Sequence, residues 1–517
     1  MMSLRLTARL AGMALLSLVC ISCGQYYRPI ITPLNNTPPS PSNFHAVYAL
    51  SSNGSYAATP PQSATPIFSF DVGTAMEIDV AGDTILGETW PSRGGPPTIG
   101  INPTHFSTLP NNSRIFTVSA GSIEPGQSDF FAAFSPASTV GATGFGTLNA
   151  ISLPAGSLPV FVSSTQIGTA YVANYGTNSV TVINTNSNFI SNNVATGVNP
   201  VSMAQAQSTN GNKLYVVNQG SNSVTSFNTV DMSTNALTGF TGVTPVWSVA
   251  RGDGQKVYVL SSGDGSLSTI DTATDTVSAI ASVGAGANYI SYEPNTQRLY
   301  VTNPAASTVS IFSVTGGTGD TPTLLKTISI AGSTVAGNYP ACINPCPVSA
   351  TGVPDGSEAY VASYTLSGCS DPTFTASCQV TPIVTILDAQ SLTPKLTMYP
   401  LSLAQGGAVP ASVPEAAVCV PSVPYSPSGV TVPGTGALGW TTRFRLSTTS
   451  AADSSNVYVA MCDAGSVAII SPATSTISVN GTNDTLIMDL AAPFGAGFPL
   501  GNGEPPPQNP IFMLSGQ

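Results

Sequence analysis

From about residue 160 onward, apolar and polar residues alternate in short runs rich in Val, Thr, Ile and Tyr, and each run ends in Gly, Asn, Asp or Ser. Alternation with a period of two marks half-buried strands, and turn residues between such runs mark hairpins. In TAYVANYGTNSVTVINT (169–185) two alternating β-branched flanks enclose a Gly- and Asn-containing tight turn. KVYVLSSGDGSLSTIDT (256–272) repeats the design around Gly263-Asp264-Gly265. A polar turn also precedes such units, as in Asn210-Gly211-Asn212 and Asp253-Gly254-Gln255, and a further strand follows, as in Thr276 to Ile280. The pattern therefore predicts units of about four short strands.

These units repeat. Tyr171, Tyr215, Tyr258 and Tyr300 head equivalent strands at steps of 44, 43 and 42 residues. Nine residues after them stand Val180, Val224, Leu267 and Val309, and thirteen after them Asn184, Asn228, Asp271 and Ser313. Tyr458 keeps both offsets, to Val467 and Ser471. Four strands in 42–44 residues is the period of a propeller blade. Tyr48, Phe116 and Tyr360 complete a series of eight, with seven blades the alternative count. The expected fold is thus all-β, a single β-propeller. NPIFMLSGQ (509–517) reads as a first strand lacking a partner, and FHAVYAL (44–50) supplies one, so the two terminal strands are expected to close the ring.

The Tyr300-Val301-Thr302-Asn303 string and its spacing resemble the YVTN family of β-propeller repeats, over about 160–330 and more faintly over 355–390 and 440–480. That resemblance implies an exported or surface protein of bacterial or archaeal type. It specifies a fold; it names no activity. Stretches that break the period read as insertions, at about 331–355, 366–382 and 403–440, within a propeller of residues 43–517.

The N-terminus suggests the address. Arg5 and Arg9 precede an apolar run from Leu10 to Ile21, of signal-peptide length and too short to span a bilayer. Ser22-Cys23-Gly24 follows it and resembles a bacterial lipobox, with Cys20 where Leu is usual. On that reading residues 1–22 are removed, Cys23 is lipidated, and 23–42 form a Pro- and Asn-rich tether. Gly24 in place of Asp favours the outer membrane, with the body periplasmic or surface-facing. Six further cysteines, Cys342, Cys346, Cys369, Cys378, Cys419 and Cys462, are disulfide candidates in an oxidising compartment. Sequence proximity suggests Cys342–Cys346, Cys369–Cys378 and Cys419–Cys462.

Composition narrows the function. Charged residues make up 7% of the chain and the net charge is −11, which excludes a basic nucleic-acid groove. The two histidines, His45 and His105, read as loop residues, and no Gly-x-Ser-x-Gly, His-Glu-x-x-His or phosphate-loop motif occurs. No catalytic residue, metal ligand or cofactor is therefore assigned. Glu77, Asp79 and Asp83 form the densest acidic cluster and a weak cation candidate. Arg251-Gly252-Asp253 spells an adhesion tripeptide but sits where a turn is expected. Trp440, with Arg443 and Arg445, is the candidate for recognition on a face. The expectation is a monomeric, non-enzymatic envelope lipoprotein that binds protein, glycan or envelope polymer and meets the membrane only through its anchor. A lactonase-like hydrolase or a quinoprotein-like oxidoreductase is the alternative.

Overall fold

The computed structural model describes residues 46–52, 54–56, 68–70, 73–80, 84–88, 99–109, 113–123, 126–136, 146–166, 168–208, 211–314, 321–330, 345–367, 379–402, 411–414, 419, 445–472, 485–491 and 509–516. They form eight antiparallel sheets of the four-stranded kind expected of propeller blades. Blade 1 runs, from the axis outward, Pro510–Ser515, Ala46–Ser51, Thr74–Asp79 and Thr84–Glu88. The innermost strands of blades 2 to 8 are Pro103–Thr108, Pro159–Gln166, Pro200–Ser208, Pro245–Ala250, Tyr289–Glu293, Cys346–Gly352 and Leu446–Ser450. Each packs against the innermost strand of the next blade, and that of blade 8 packs against that of blade 1. The fold is therefore a closed eight-bladed β-propeller.

Closure uses the two strands that the sequence pairs. Val47, Tyr48, Ala49 and Leu50 lie opposite Ser515, Leu514, Met513 and Phe512. A ring closed by such a pair leaves no innermost strand without a neighbour, which removes the edges an open sheet would expose. The series from Tyr48 to Tyr458 falls on the second strand of every blade, and all eight side chains are buried. The hydroxyl of Tyr215 donates to Asp275 and that of Tyr360 to Glu358. Partnering the hydroxyl is what lets a tyrosine sit in a core.

The residues thirteen places after the tyrosines also have a physical task. Asn184 Oδ1 accepts from the N–H groups of Asn186 and Ser187, and Asp271 Oδ1 from those of Ala273 and Thr274. Asp388 does the same for Gln390 and Ser391 across the lengthened hairpin of blade 7. These carboxamides and carboxylates nucleate the turn between third and fourth strands.

Insertion stretches merge with regular structure at their edges. The innermost strand of blade 7, Cys346–Gly352, occupies the end of the 331–355 stretch. The hairpin of blade 7 is extended to ten residues on each side, Glu358–Ser367 and Gln379–Asp388, and Val413–Pro414 adds to its third strand. Cys419 and Cys462 form a disulfide, and Cys346 is also disulfide-bonded; Cys342, Cys369 and Cys378 lie outside the described residues. The Cys419–Cys462 bridge abuts the closing strand. Asn509 Nδ2 donates to Cys462 O at 2.9 Å, and Asn509 O accepts from Ser52 N at 2.9 Å.

The residue before the innermost strand is left-handed in four blades: Asn102, Leu158, Asn199 and Thr244, with φ of 55°, 45°, 53° and 50°. Asparagine tolerates this region; a β-branched residue is strained there. Asn102 also donates from Nδ2 to the carbonyl of Ala120, four residues after Phe116 in its own blade, and Asn199 donates to that of Tyr175, four residues after Tyr171 in the preceding blade. The carbonyl that corresponds to that of Ala120 in blade 5 is that of Ser262. Thr244→Asn is therefore expected to raise stability by about 1 kcal/mol, from one added hydrogen bond and relieved strain. Urea denaturation checks it; an unchanged or lower midpoint would show that the two asparagines do not mark a transferable solution.

Candidate functional site at the propeller axis and its faces

One residue of each innermost strand lies opposite the third residue of the Tyr-x-x-Asn strand. These are His105 against Val118, Phe161 against Ala173, Ser202 against Val217 and Trp247 against Leu260. Blades 6, 7, 8 and 1 contribute Tyr289 against Thr302, Ser349 against Ala362, Ser447 against Ala460 and Phe512 against Leu50. They make one layer around the axis. In six blades a proline stands two positions before the layer residue, as the first or an early residue of the strand. A strand edge facing the axis has no ladder bond for that position to donate, so proline is tolerated there.

The rings of this layer meet across the centre. His105 stacks on Phe161 at 3.9 Å between centroids and lies 4.7 Å from Phe512. Trp247 lies 5.5 Å from Phe161, 5.4 Å from Tyr289 and 6.2 Å from His105. His105 and Trp247 come from blades 2 and 5, three apart in a ring of eight, so their contact spans the axis. The polar members tie blade to blade. His105 Nδ1 accepts from Val162 N, Ser202 Oγ from Ser248 N, Ser349 Oγ from Thr448 N and Ser447 Oγ from Met513 N, at 3.1–3.3 Å. Each donor follows the layer residue of the next blade, so these side chains satisfy backbone N–H groups that the axis-facing edge would otherwise leave bare.

Burial among these rings pushes the His105 pKa down to about 3, against the hydrogen bond from Val162. The imidazole is therefore neutral, and with Nδ1 accepting, its proton sits on Nε2. Burial pushes the Tyr289 hydroxyl up to about 12, opposed by the Ser349 hydroxyl. Both groups are held in their uncharged forms near neutral pH. The expectation that His105 is a loop residue fails: it is a strand residue at the centre of the ring. His45 lies outside the described residues.

The two faces differ. The upper face carries the turns between second and third strands and the loops that enter each blade. There Asn174 Nδ2 donates to Ser179 and Thr181, and Asn218 Nδ2 to Ser223 and Thr225. Asn303 Nδ2 points to the carbonyls of Val283, Gly284 and Ala285 at 3.0–3.2 Å and so pins the loop from blade 5. That loop needs Gly286: φ is 88°, and a Cβ would lie 2.3 Å from Ala305 Cβ. The lower face carries the other turns and, beside Ser515, the start of the described chain at Ala46. Its charges pair: Lys213 with Asp275, Lys256 with Asp271 and Arg251 with Asp253, each at 2.8 Å. The Arg251-Gly252-Asp253 tripeptide is thus an internally paired turn, with the Arg251 side chain buried.

Other sequence candidates fall elsewhere. Arg445 is buried rather than displayed on a face. It pairs with Asp463 at 2.9 and 3.1 Å, and its guanidinium lies over the Tyr364 ring at 5.2 Å. Trp440 and Arg443 lie outside the described residues. Glu77 is fully buried opposite Tyr48 in blade 1, so it is not part of a solvated acidic cluster; Asp79 ends the same strand half-buried, and Asp83 is outside the described residues. Cys23 and the tether are also outside them. Among the described residues, no three His, Cys, Asp or Glu side chains are grouped as a metal site.

No family model and no curated protein matches the sequence. Solved structures do. The chain is similar to dihydro-heme d1 dehydrogenase NirN, at 10% identity over 92% of this chain and 75% of that one, with a TM-score of 0.53. It is also similar to a proposed 6-phosphogluconolactonase from Bacteroides fragilis, at 11% identity over 92% and 99% of the two chains, TM-score 0.45. A Lactobacillus plantarum protein matches at 18% identity over 68% and 95%, TM-score 0.42. At these identities the likeness concerns the fold alone.

Proposed function

We propose that this chain is a non-enzymatic binding scaffold of the bacterial cell envelope, anchored through a lipidated Cys23 and engaging protein, glycan or envelope polymer through its loop faces. The observation that carries this reading is the axial layer. The polar atoms of His105, Ser202, Ser349 and Ser447 accept hydrogen bonds from neighbouring blades, and aromatic rings meet between them. Groups committed in this way build a rigid hub and leave recognition to the loops. The named activities of the similar structures, lactonase and heme d1 dehydrogenase, are the competing reading.

The test has two arms. On envelope fractionation, wild type is expected in the membrane fraction and Cys23→Ser in the soluble one; an identical distribution would overturn the anchor. The purified body is expected to leave 6-phosphogluconolactone at its spontaneous rate of ring opening. Acceleration that saturates with lactone concentration would overturn the scaffold reading.

A further inference from the structure

Charge is segregated between the two faces of blades 3 to 6. Their lower turns carry Asp231, Arg251, Asp253, Asp275 and the pairs described above. Their upper turns and entering loops, 153–158, 174–179, 195–200, 218–223, 237–245, 261–266, 282–288 and 303–308, carry a single charged residue, Asp264. What this upper face presents instead repeats from one blade junction to the next. Between blades 3 and 4, Asn178 Oδ1 accepts from Asn199 N at 2.8 Å, beside exposed Val198. Between blades 4 and 5, Asn222 Oδ1 accepts from Thr244 N at 2.7 Å, beside exposed Val243. Each carboxamide is thus oriented by its oxygen, which leaves its two N–H donors available. The half-buried rings of Tyr175 and Phe240 rest on the same core cluster below these junctions.

Resting on the scaffold reading, we propose that the upper face across blades 3 to 5 binds an uncharged polysaccharide. Oriented amide donors match hydroxyl and acetal oxygens, and apolar and aromatic side chains match the C–H faces of sugar rings. An anionic or cationic polymer would find no counter-charge here except Asp264, and a polymer repeats its recognition elements from one junction to the next as this surface does. The immobilised oxygens also lower the ordering cost of making the contacts.

Binding is measured by calorimetry on the folded body with laminarin, mannan and dextran as uncharged probes and with polygalacturonate and heparin as charged ones, at 50 and 500 mM salt. At least one uncharged polymer is expected to bind, with an affinity that changes less than twofold between the two salt conditions. Asn178→Gly combined with Asn222→Gly is expected to weaken it at least tenfold. Glycine already occupies the equivalent left-handed position at Gly265 and Gly465, so the backbone tolerates the change. Asp231→Asn, in a lower turn of blade 4, serves as the control that leaves the upper face unchanged. Binding that is confined to charged polymers, that is indifferent to the double variant, or that is absent with every probe would overturn the proposal. Salt-sensitive binding of a charged polymer would leave the scaffold reading standing, whereas lactone turnover would sink that reading separately.

Discussion

Deleting residues 509–517 is expected to cost on the order of 5 kcal/mol or more, enough to bring the ring to the edge of unfolding. Ile511 is fully buried, Met513 and Phe512 nearly so, and each such side chain contributes about 1.5–3 kcal/mol by burial alone. The deletion also strips the ladder from Ala46–Ser51, removes Phe512 from the axial layer and exposes two edges, at blade 1 and at the junction with blade 8. A typical domain has only about 5–15 kcal/mol to lose. The truncated protein should therefore melt at a much lower temperature or aggregate on expression. A melt that superimposes on that of the full chain would mean the segment is a dispensable tail. Phe512→Ala separates the two contributions: it keeps the ladder, empties part of the axial layer, and should cost about 3–5 kcal/mol.

Acidification from pH 7 to pH 4 is expected to cost about 3 kcal/mol through His105 alone. The folded state holds this imidazole neutral, with its pKa lowered to about 3 by burial, while in the unfolded chain it takes up a proton near 6.5. Between those two values the unfolded state binds more protons than the folded one. Stability therefore falls as pH falls through this window, and is fully regained above about pH 7. Carboxylates such as Asp271 and Asp253, held below their ordinary range, also lose stability on acidification but at lower pH. Comparison with His105→Gln isolates the histidine: Gln can still accept from Val162 N through its oxygen and carries no titrating group. Denaturant titrations of both proteins at pH 7 and pH 4 should show the wild type losing about 3 kcal/mol more. Equal losses would place His105 in a wetter site than its ring contacts describe.

The second strands were legible in the sequence and the axial layer was not, for a physical reason. A second strand is hydrogen-bonded on both sides and packed on both faces, so its environment is nearly the same in every blade. Tyr171, Tyr215, Tyr258 and Tyr300 repeat because the same buried hole repeats. The axial residues instead share one space, and what matters is that together they fill it. His105, Phe161, Ser202 and Trp247 occupy equivalent positions with four different shapes, so no repeated residue type marks the layer in the sequence. The recurring signal is the preceding proline: Pro103, Pro159, Pro200, Pro245, Pro347 and Pro510 each stand two residues before a layer position. Arg445 is buried because it pairs with Asp463 across a hairpin, a partner that sequence spacing does not bring near.

The pairing of Leu50 with Phe512 also sets an order of events in time. Blades 2 to 8 can each form from contiguous chain as it is synthesised, but blade 1 waits for a strand more than 450 residues downstream. Until then Ala46–Ser51 presents a bare, apolar edge, and the innermost strand of blade 8 lacks its neighbour. Such an intermediate is prone to pair with another copy of itself. Completion of the ring is thus a late, long-range event with a large loop-closure cost, and conditions that slow it should raise the yield of aggregates without altering the finished fold.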